Sequence, residues 1–348
     1  MQLSMISYTA IIRRITKCQY ITMGVFVLAM QNTSVLHFYM FTLRSDIPSL
    51  DFDVVKERLG ELLQASANLL EREWPARYSN IDSSNIIFFT RMRVVLNMYD
   101  TIMWISADLP KDPRRKMLVL SVSPLVRTLF EELMSLIFIF QDVSRLIPCL
   151  IMTNYTEIWI EREHAKKYHG NDSRWDNYIS GLDQRLTDLG NSLNLTPDQI
   201  AKPRKFIGRW PTPGKMVDEL KKQFKTSPDI PFMEYVNSWI YRSLSGDSHL
   251  NFEGLIRRGN FYAEKEAKEK FGEDKYKTVF KDSFDGYKME MIWTTLTLLL
   301  SIVSEIDAHF HYGLKDRAKF LWVIFEQHSD LAKEFYERRY QNLLGFSI

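Results

Sequence analysis

The chain has 348 residues, 45% of them hydrophobic, with 45 basic and 43 acidic side chains for a formal net charge of +2. That length and apolar fraction suffice for a substantial core in one large or two moderate domains that should fold unaided. The near-balance of charge excludes a polyanion binder driven by its overall charge, although a local basic patch could still bind one.

Two cysteines, Cys18 and Cys149, stand 131 positions apart. They form no metal-type spacing and read as thiols in a reducing, cytoplasmic compartment. Residues 1–50 read as a partly ordered N-terminal extension. Its apolar run ITMGVFVLAM (21–30) follows Arg13, Arg14 and Lys17 as in a signal peptide, but it is too short to span a bilayer and lacks a clear cleavage site. Residues 35–43, VLHFYMFTL, could form one short extended piece. Helical periodicity dominates everything after it.

From Asp51 to Glu73, the residues Val54, Leu59, Leu62, Leu63, Leu69 and Leu70 fall near one stripe, with acids in the first turn and Pro75 as the stop. Asp82, Ser83 or Ser84 can cap the next helix, which should run toward Leu109-Pro110. The stretch from Arg115 to Asp142 is largely apolar, and Pro124 should kink or restart a helix there. A second apolar run, 133–152, carries Asp142 and Arg145 at its centre, which a bilayer core would penalise, so membrane association is not expected. Further helices fit 151–168 and 174–192 and complete an N-terminal helical part, 51–194.

Residues 195–231 differ in composition. Six prolines punctuate them, and Lys202, Arg204, Lys205, Arg209 and Lys215 lead a basic series that continues to Lys225. They read as a linker or surface loop with one short helix, MVDELKKQF. The C-terminal part, 232–348, resumes with helix to about residue 245. A charged segment at 264–282 is interrupted at Gly272, and residues 291–310 are apolar nearly all round and predict a central core helix. One long amphipathic helix, 314–340, should close the chain. The expected fold is all-α: a multi-helix globular bundle with a central apolar helix in its C-terminal half and a Pro-rich basic connecting loop. The two helical parts should pack as one domain.

Two constellations carry chemistry. Arg127 and Glu131 are four apart on an apolar helix and must pair or reach solvent. They are either an internal ion pair between helices or lining for a cleft. In WIYRSLSGDSHLNFEGL, Arg242 and His249 can converge only if the helix breaks, which Ser245, Gly246 and Asp247 permit. The histidine could then move a proton at a ribose 2′-hydroxyl or a leaving oxygen, and the arginine could neutralise the phosphorane without a metal. Alternatively, Ser248 or Asp247 caps the following helix and His249 bonds to a backbone carbonyl or a carboxylate such as Glu131.

The segment VRTLFEEL, with Arg127 and Glu131, paired with the later EYVNSWIYRSLSxxxH, resembles an uncharacterised, mostly bacterial helical family known as domain of unknown function 5677. Arg127 and Glu131 match its first pair, and Tyr241, Leu244, Ser245 and His249 match its second element. The likeness runs across approximately 50–310 and carries no known activity. More distantly, Arg242 with six residues before His249 is similar to the HEPN superfamily of helical nucleotide-binding and RNA-cleaving domains. That superfamily prefers Asn, Asp or His directly after the arginine, where this chain has Ser243. The resemblance implies a site built across a homo-oligomer, with His249 as acid/base, Arg242 as phosphate clamp, and Arg127, Glu131, Tyr241 and Ser245 as supporting polar residues.

His309 and His311 with Asp307 could imitate a metal cluster, but no tetrahedral ligand spacing accompanies them, so no metal and no cofactor is expected. Glu305 and Asp307 read as partners for a buried Arg127 or His249. The basic 202–225 segment, with Phe206 and Trp210, has the mixture of cations and aromatics that suits RNA. No P-loop, dinucleotide fingerprint, serine-hydrolase elbow or zincin motif occurs. Two functions follow: a helical domain with a structural or regulatory interaction role, or a metal-independent endoribonuclease or nucleotide binder of a defence or toxin–antitoxin system.

Overall fold

The computed structural model describes residues 52–77, 84–106, 121–241, 268–269, 272–276 and 282–345. Expectations for the N-terminal extension, for Arg242, Ser245 and His249, and for most of 242–281 lie outside them. All regular structure among the described residues is helical.

Helices α1 (Phe52–Arg77) and α2 (Ser84–Ser106) pack on each other. The buried stripe of α1 is Val55, Leu59, Leu62, Leu63, Ala67 and Leu70, whereas Val54 is exposed. The 55–59–62/63–67–70 spacing follows the 3.6-residue repeat more closely than one starting at Val54. Pro75 does not stop α1 before Arg77. A proline in the last turn forfeits a single ladder bond and leaves the preceding helix intact.

Helix α3 (Val122–Ile139) takes Pro124 in its first turn, where no intrahelical donor is needed, and is almost wholly buried from Leu129 onward apart from its two glutamates. The 133–152 apolar run is split after it. Asp142 accepts from the Arg145 amide and caps α4 (Val143–His169), so the two charges that argued against a bilayer mark a helix start. Helix α4 folds back against α5 (Asp176–Ser192) through a 3-10 turn at Ser173–Trp175. This hairpin has its own small core of Tyr155, Ile158, Ala165, Leu182 and Leu186, closed by Ile207.

The 195–231 stretch is more helical than a single short helix. It holds α6 (Pro197–Ala201), α7 (Pro203–Phe206) and α8 (Pro213–Gln223), each with proline at its first position, where that residue's fixed φ favours helix initiation. Thr196 and Gln199 form a reciprocal capping box on α6. Met216, Val217 and Leu220 bury one face of α8, and α8 packs on α3. Helix α9 (Asp229–Val236) continues into a π-helical turn, Asn237–Tyr241. Past α10 (Glu273–Tyr276), preceded by Gly272 at φ +80°, comes α11 (Asp282–Phe310).

Helix α11 is the centre of the bundle. It touches α1, α2, α3 and the C-terminal helices, and every residue from Met291 to Asp307 is buried. Three of its hydroxyls return to the carbonyl one turn back, Thr295 to Met291, Ser301 to Thr297 and Ser304 to Leu300, whereas the buried Thr297 hydroxyl has no partner among the described residues. Among the described residues, Gly286–Phe310 is the stretch of helix long and apolar enough to cross a membrane, and 89% of its apolar window is buried inside this body.

The C-terminal segment breaks where one helix was expected. Ser329 leaves the helical region at the end of α12 (Lys315–His328) and caps α13 (Asp330–Phe335). A second π-helical turn, Tyr336–Tyr340, and the short α14 (Gln341–Leu343) follow.

Candidate functional site

Arg127 and Glu131 lie one turn apart on α3, and the structure brings Tyr241 onto them. The Arg127 Nε donates to Glu131 at 3.0 Å and its Nη2 donates to the Tyr241 hydroxyl at 2.8 Å. The guanidinium also sits over the Tyr241 ring, 5.0 Å from its centroid, and that ring stacks on Phe130 at 5.3 Å. Burial and the nearby Glu131 charge raise the phenol's pKa against the opposing pull of Arg127. Arg127 thus joins Glu131 and Tyr241 as the apex of a triangle of side chains. The Arg127 side chain is 19% exposed and that of Glu131 40%, so the carboxylate is the member open to solvent.

Tyr241 ends the π-helical turn, and Arg242 is the next residue. The triangle therefore anchors the chain immediately before the Arg242–His249 element.

The basic stretch meets α3 nearer its C-terminal end, where Trp210 packs on Phe138 and Ser135. Lys202, Arg204, Lys205, Arg209 and Lys215 are all exposed. Between residues 202 and 225 eight bases face two acids, so the rest of this nearly neutral chain carries an excess of acid. Among the described residues, Lys202, Arg204, Arg209 and Lys215 meet no carboxylate, while Lys221 pairs with Glu234. Phe206 is 47% exposed with the Lys205 ammonium over its face at 5.3 Å. Charge in this strip is concentrated and largely uncompensated.

A cleft of about 320 Å3 runs beneath the strip. Arg145, Cys149 and Thr153 form one wall on a single face of α4, and Glu219 and Gln223 on α8 form the second. The chain from Phe206 to Pro211 forms the third, pinned where the Thr153 hydroxyl reaches the Gly208 carbonyl at 3.4 Å. Phe138 meets Trp210 edge-on at 5.9 Å, and the indole donates to Ser135.

The most heavily connected polar cluster was missed by sequence reasoning. Glu305, 2% exposed on α11, receives two bonds from Arg339, at 2.5 and 2.7 Å, and one from the Tyr340 hydroxyl at 2.9 Å. Arg339 also pairs with Asp229 at the start of α9, which takes a further bond from Gln141. Ser227 donates to Gln141 at 2.9 Å and accepts from the Asp229 amide. Glu305 is thus answered by Arg339 and Tyr340, not by Arg127, and Asp307 accepts from the Leu314 amide.

Burial alone would lower the Arg339 pKa, but Glu305, Tyr340 and Asp229 more than offset it and hold the guanidinium well above its usual value. Burial and Glu305 push the Tyr340 phenol up as well. The cluster ties the end of α3, the start of α9, α11 and the C-terminal π turn together, and its members are nearly sealed from solvent. It is structural cement.

His309 and His311 form no metal set. His309 stacks on Phe140 at 4.2 Å, and the partial desolvation this brings, aided by His311, lowers its pKa although the residue stays exposed at its edge. Among the described residues no three of His, Cys, Asp and Glu converge to hold a metal ion. The Cys149 thiol is free and half-buried in the cleft wall. No protein-family description, curated protein or solved structure matches this chain.

Proposed function

We propose that the chain is a helical interaction module that binds single-stranded RNA along its exposed basic strip. The observation that carries this reading is Lys202, Arg204, Lys205, Arg209 and Lys215 standing exposed beside Phe206, on a chain whose remaining charge is acidic. Unpaired cations beside an exposed ring suit a phosphate backbone with accessible base faces. Fluorescence anisotropy of a labelled oligouridylate of about 20 nucleotides tests it, a length that covers more than one single-strand site. Roughly five phosphate contacts predict a log–log salt slope of roughly −3.5. The Lys202→Glu, Arg204→Glu, Lys205→Glu triple variant should flatten that slope and weaken binding. Binding that ignores salt, or an unaffected triple variant, would sink the reading.

A second reading is favoured by the Arg127–Glu131–Tyr241 triangle anchoring the residue before Arg242. Under it the chain is a HEPN-like, metal-independent endoribonuclease, with Arg242 clamping a phosphate and His249 moving the proton, and with two copies completing the site. Cleavage of mixed RNA without divalent metal, compared with His249→Ala and Arg242→Ala, decides it. Equal background from all three proteins would end the catalytic reading.

A further inference from the structure

The cleft beneath the basic strip has a composition that goes beyond charge attraction. Its volume of about 320 Å3 is at the lower end of small-ligand pockets, too small for a folded partner and large enough for one flat heterocycle. Phe206, Ile207 and Trp210 give it an apolar and aromatic wall. Glu219 on α8 also lines the cleft, half-buried, and among the described residues its carboxylate has neither an ion pair nor a hydrogen bond. A half-buried carboxylate without a partner is a vacant acceptor. Two exposed arginines, Arg145 and Arg209, line the same cleft, and Arg145 is partly engaged by Asp142 at 3.3 Å. The cleft therefore combines a stacking wall, an acceptor-only group and an excess of positive charge.

We infer that the cleft receives one unstacked guanine of a single-stranded RNA, laid against Phe206 and Trp210 and read by Glu219, with Arg209 and Arg145 available to the flanking phosphates. A carboxylate offers two adjacent acceptors and no donor. Guanine is the base whose pairing edge presents two adjacent donors, the ring N1–H and the exocyclic amine. Uracil presents one donor flanked by two carbonyls, which a carboxylate repels. Single-strand readers commonly splay bases onto aromatic side chains and read their pairing edges in this way. The inference rests on the basic strip binding RNA, and it adds where a base goes and which base is preferred.

Two short labelled RNAs of equal length test it, one all uridine and one with a single central guanosine, each titrated by anisotropy at fixed salt. Wild type should bind the guanosine oligomer about tenfold more tightly, the scale of one good two-bond base contact. Glu219→Gln should abolish that preference while leaving the uridine oligomer's affinity intact. Phe206→Ala should weaken the guanosine oligomer more than the uridine one. Neither side chain anchors the described fold, so both variants should melt like wild type. Binding of both RNAs without preference would overturn the guanine inference and leave the strip reading standing. Binding of neither would overturn the strip reading and this one with it.

Discussion

Replacing Arg339 by methionine should be among the most damaging single substitutions in the body. The guanidinium makes three charge-assisted hydrogen bonds, two to Glu305 and one to Asp229, from a position 9% exposed. At ~1.5–3 kcal/mol each these would total roughly 5–9 kcal/mol. Protonation of a stranded carboxylate and the partial exposure of Asp229 reduce that sum, so the expected loss is about 4 kcal/mol, as for other buried pairs left with one member. Adding Glu305→Gln to Arg339→Met removes both charges and should recover about 2 kcal/mol. The desolvation cost of the lone carboxylate then disappears, while the new side-chain amide oxygen still accepts from Tyr340. Urea unfolding followed by far-ultraviolet circular dichroism reads both as midpoint shifts at unchanged slope. A single variant within about 1 kcal/mol of wild type, or a double variant no more stable than the single, would refute the account of a sealed ion cluster.

Three further outcomes follow from other contacts. Tyr241→Phe removes the acceptor for the Arg127 Nη2 and should cost about 1.5 kcal/mol of stability, read as a lowered denaturation midpoint; no shift would mean that water replaces the phenol. Ser329→Ala deletes the cap on α13 and should cost about 1 kcal/mol, whereas Ser329→Asp should retain most of it, both measured by thermal melting. The His309 imidazole has a lowered pKa in the folded state, so its contribution to stability is present above its unfolded pKa of about 6.5 and is lost as pH falls through the folded value. His309→Asn should shrink that acid-side loss, and an unchanged pH profile between about 7 and 5 would count against desolvation by the Phe140 stack as the cause.

The helices were legible because their apolar spacing is strong, and α11 most of all, since residues 291–310 are apolar nearly all round. The Arg127–Glu131 pair was legible for a simpler reason: four residues is one turn, so a helix alone suffices to join them. Tyr241, 114 positions from Arg127, was reached only through the family resemblance, because no local rule links residues so far apart. Glu305 was visible as a charge in an apolar helix, but its partner was not.

The clue lay in the C-terminal spacing. Buried positions 331/332, 335/336, 339/340 and 344 recur at intervals of four, which places Arg339 in the core series and drifts about 40° per step around an ordinary helix. The π turn at Tyr336–Tyr340 accommodates that drift. Reading 314–340 as one unbroken amphipathic helix hid the arginine. The cleft could not be seen in sequence because its three walls come from segments up to 78 positions apart, Arg145 to Gln223.

The α4–α5 hairpin closes around its own small core, so its amides should exchange as a cooperative unit separate from those of α11. One wall of the cleft belongs to this hairpin, and Ile207 of the basic strip is the residue that seals the hairpin's core. Any opening of the hairpin therefore withdraws one side of the cleft and unseats the strip at the same time. Occupation of the cleft would in turn slow the hairpin's exchange, so that the two events share one equilibrium and each reports on the other.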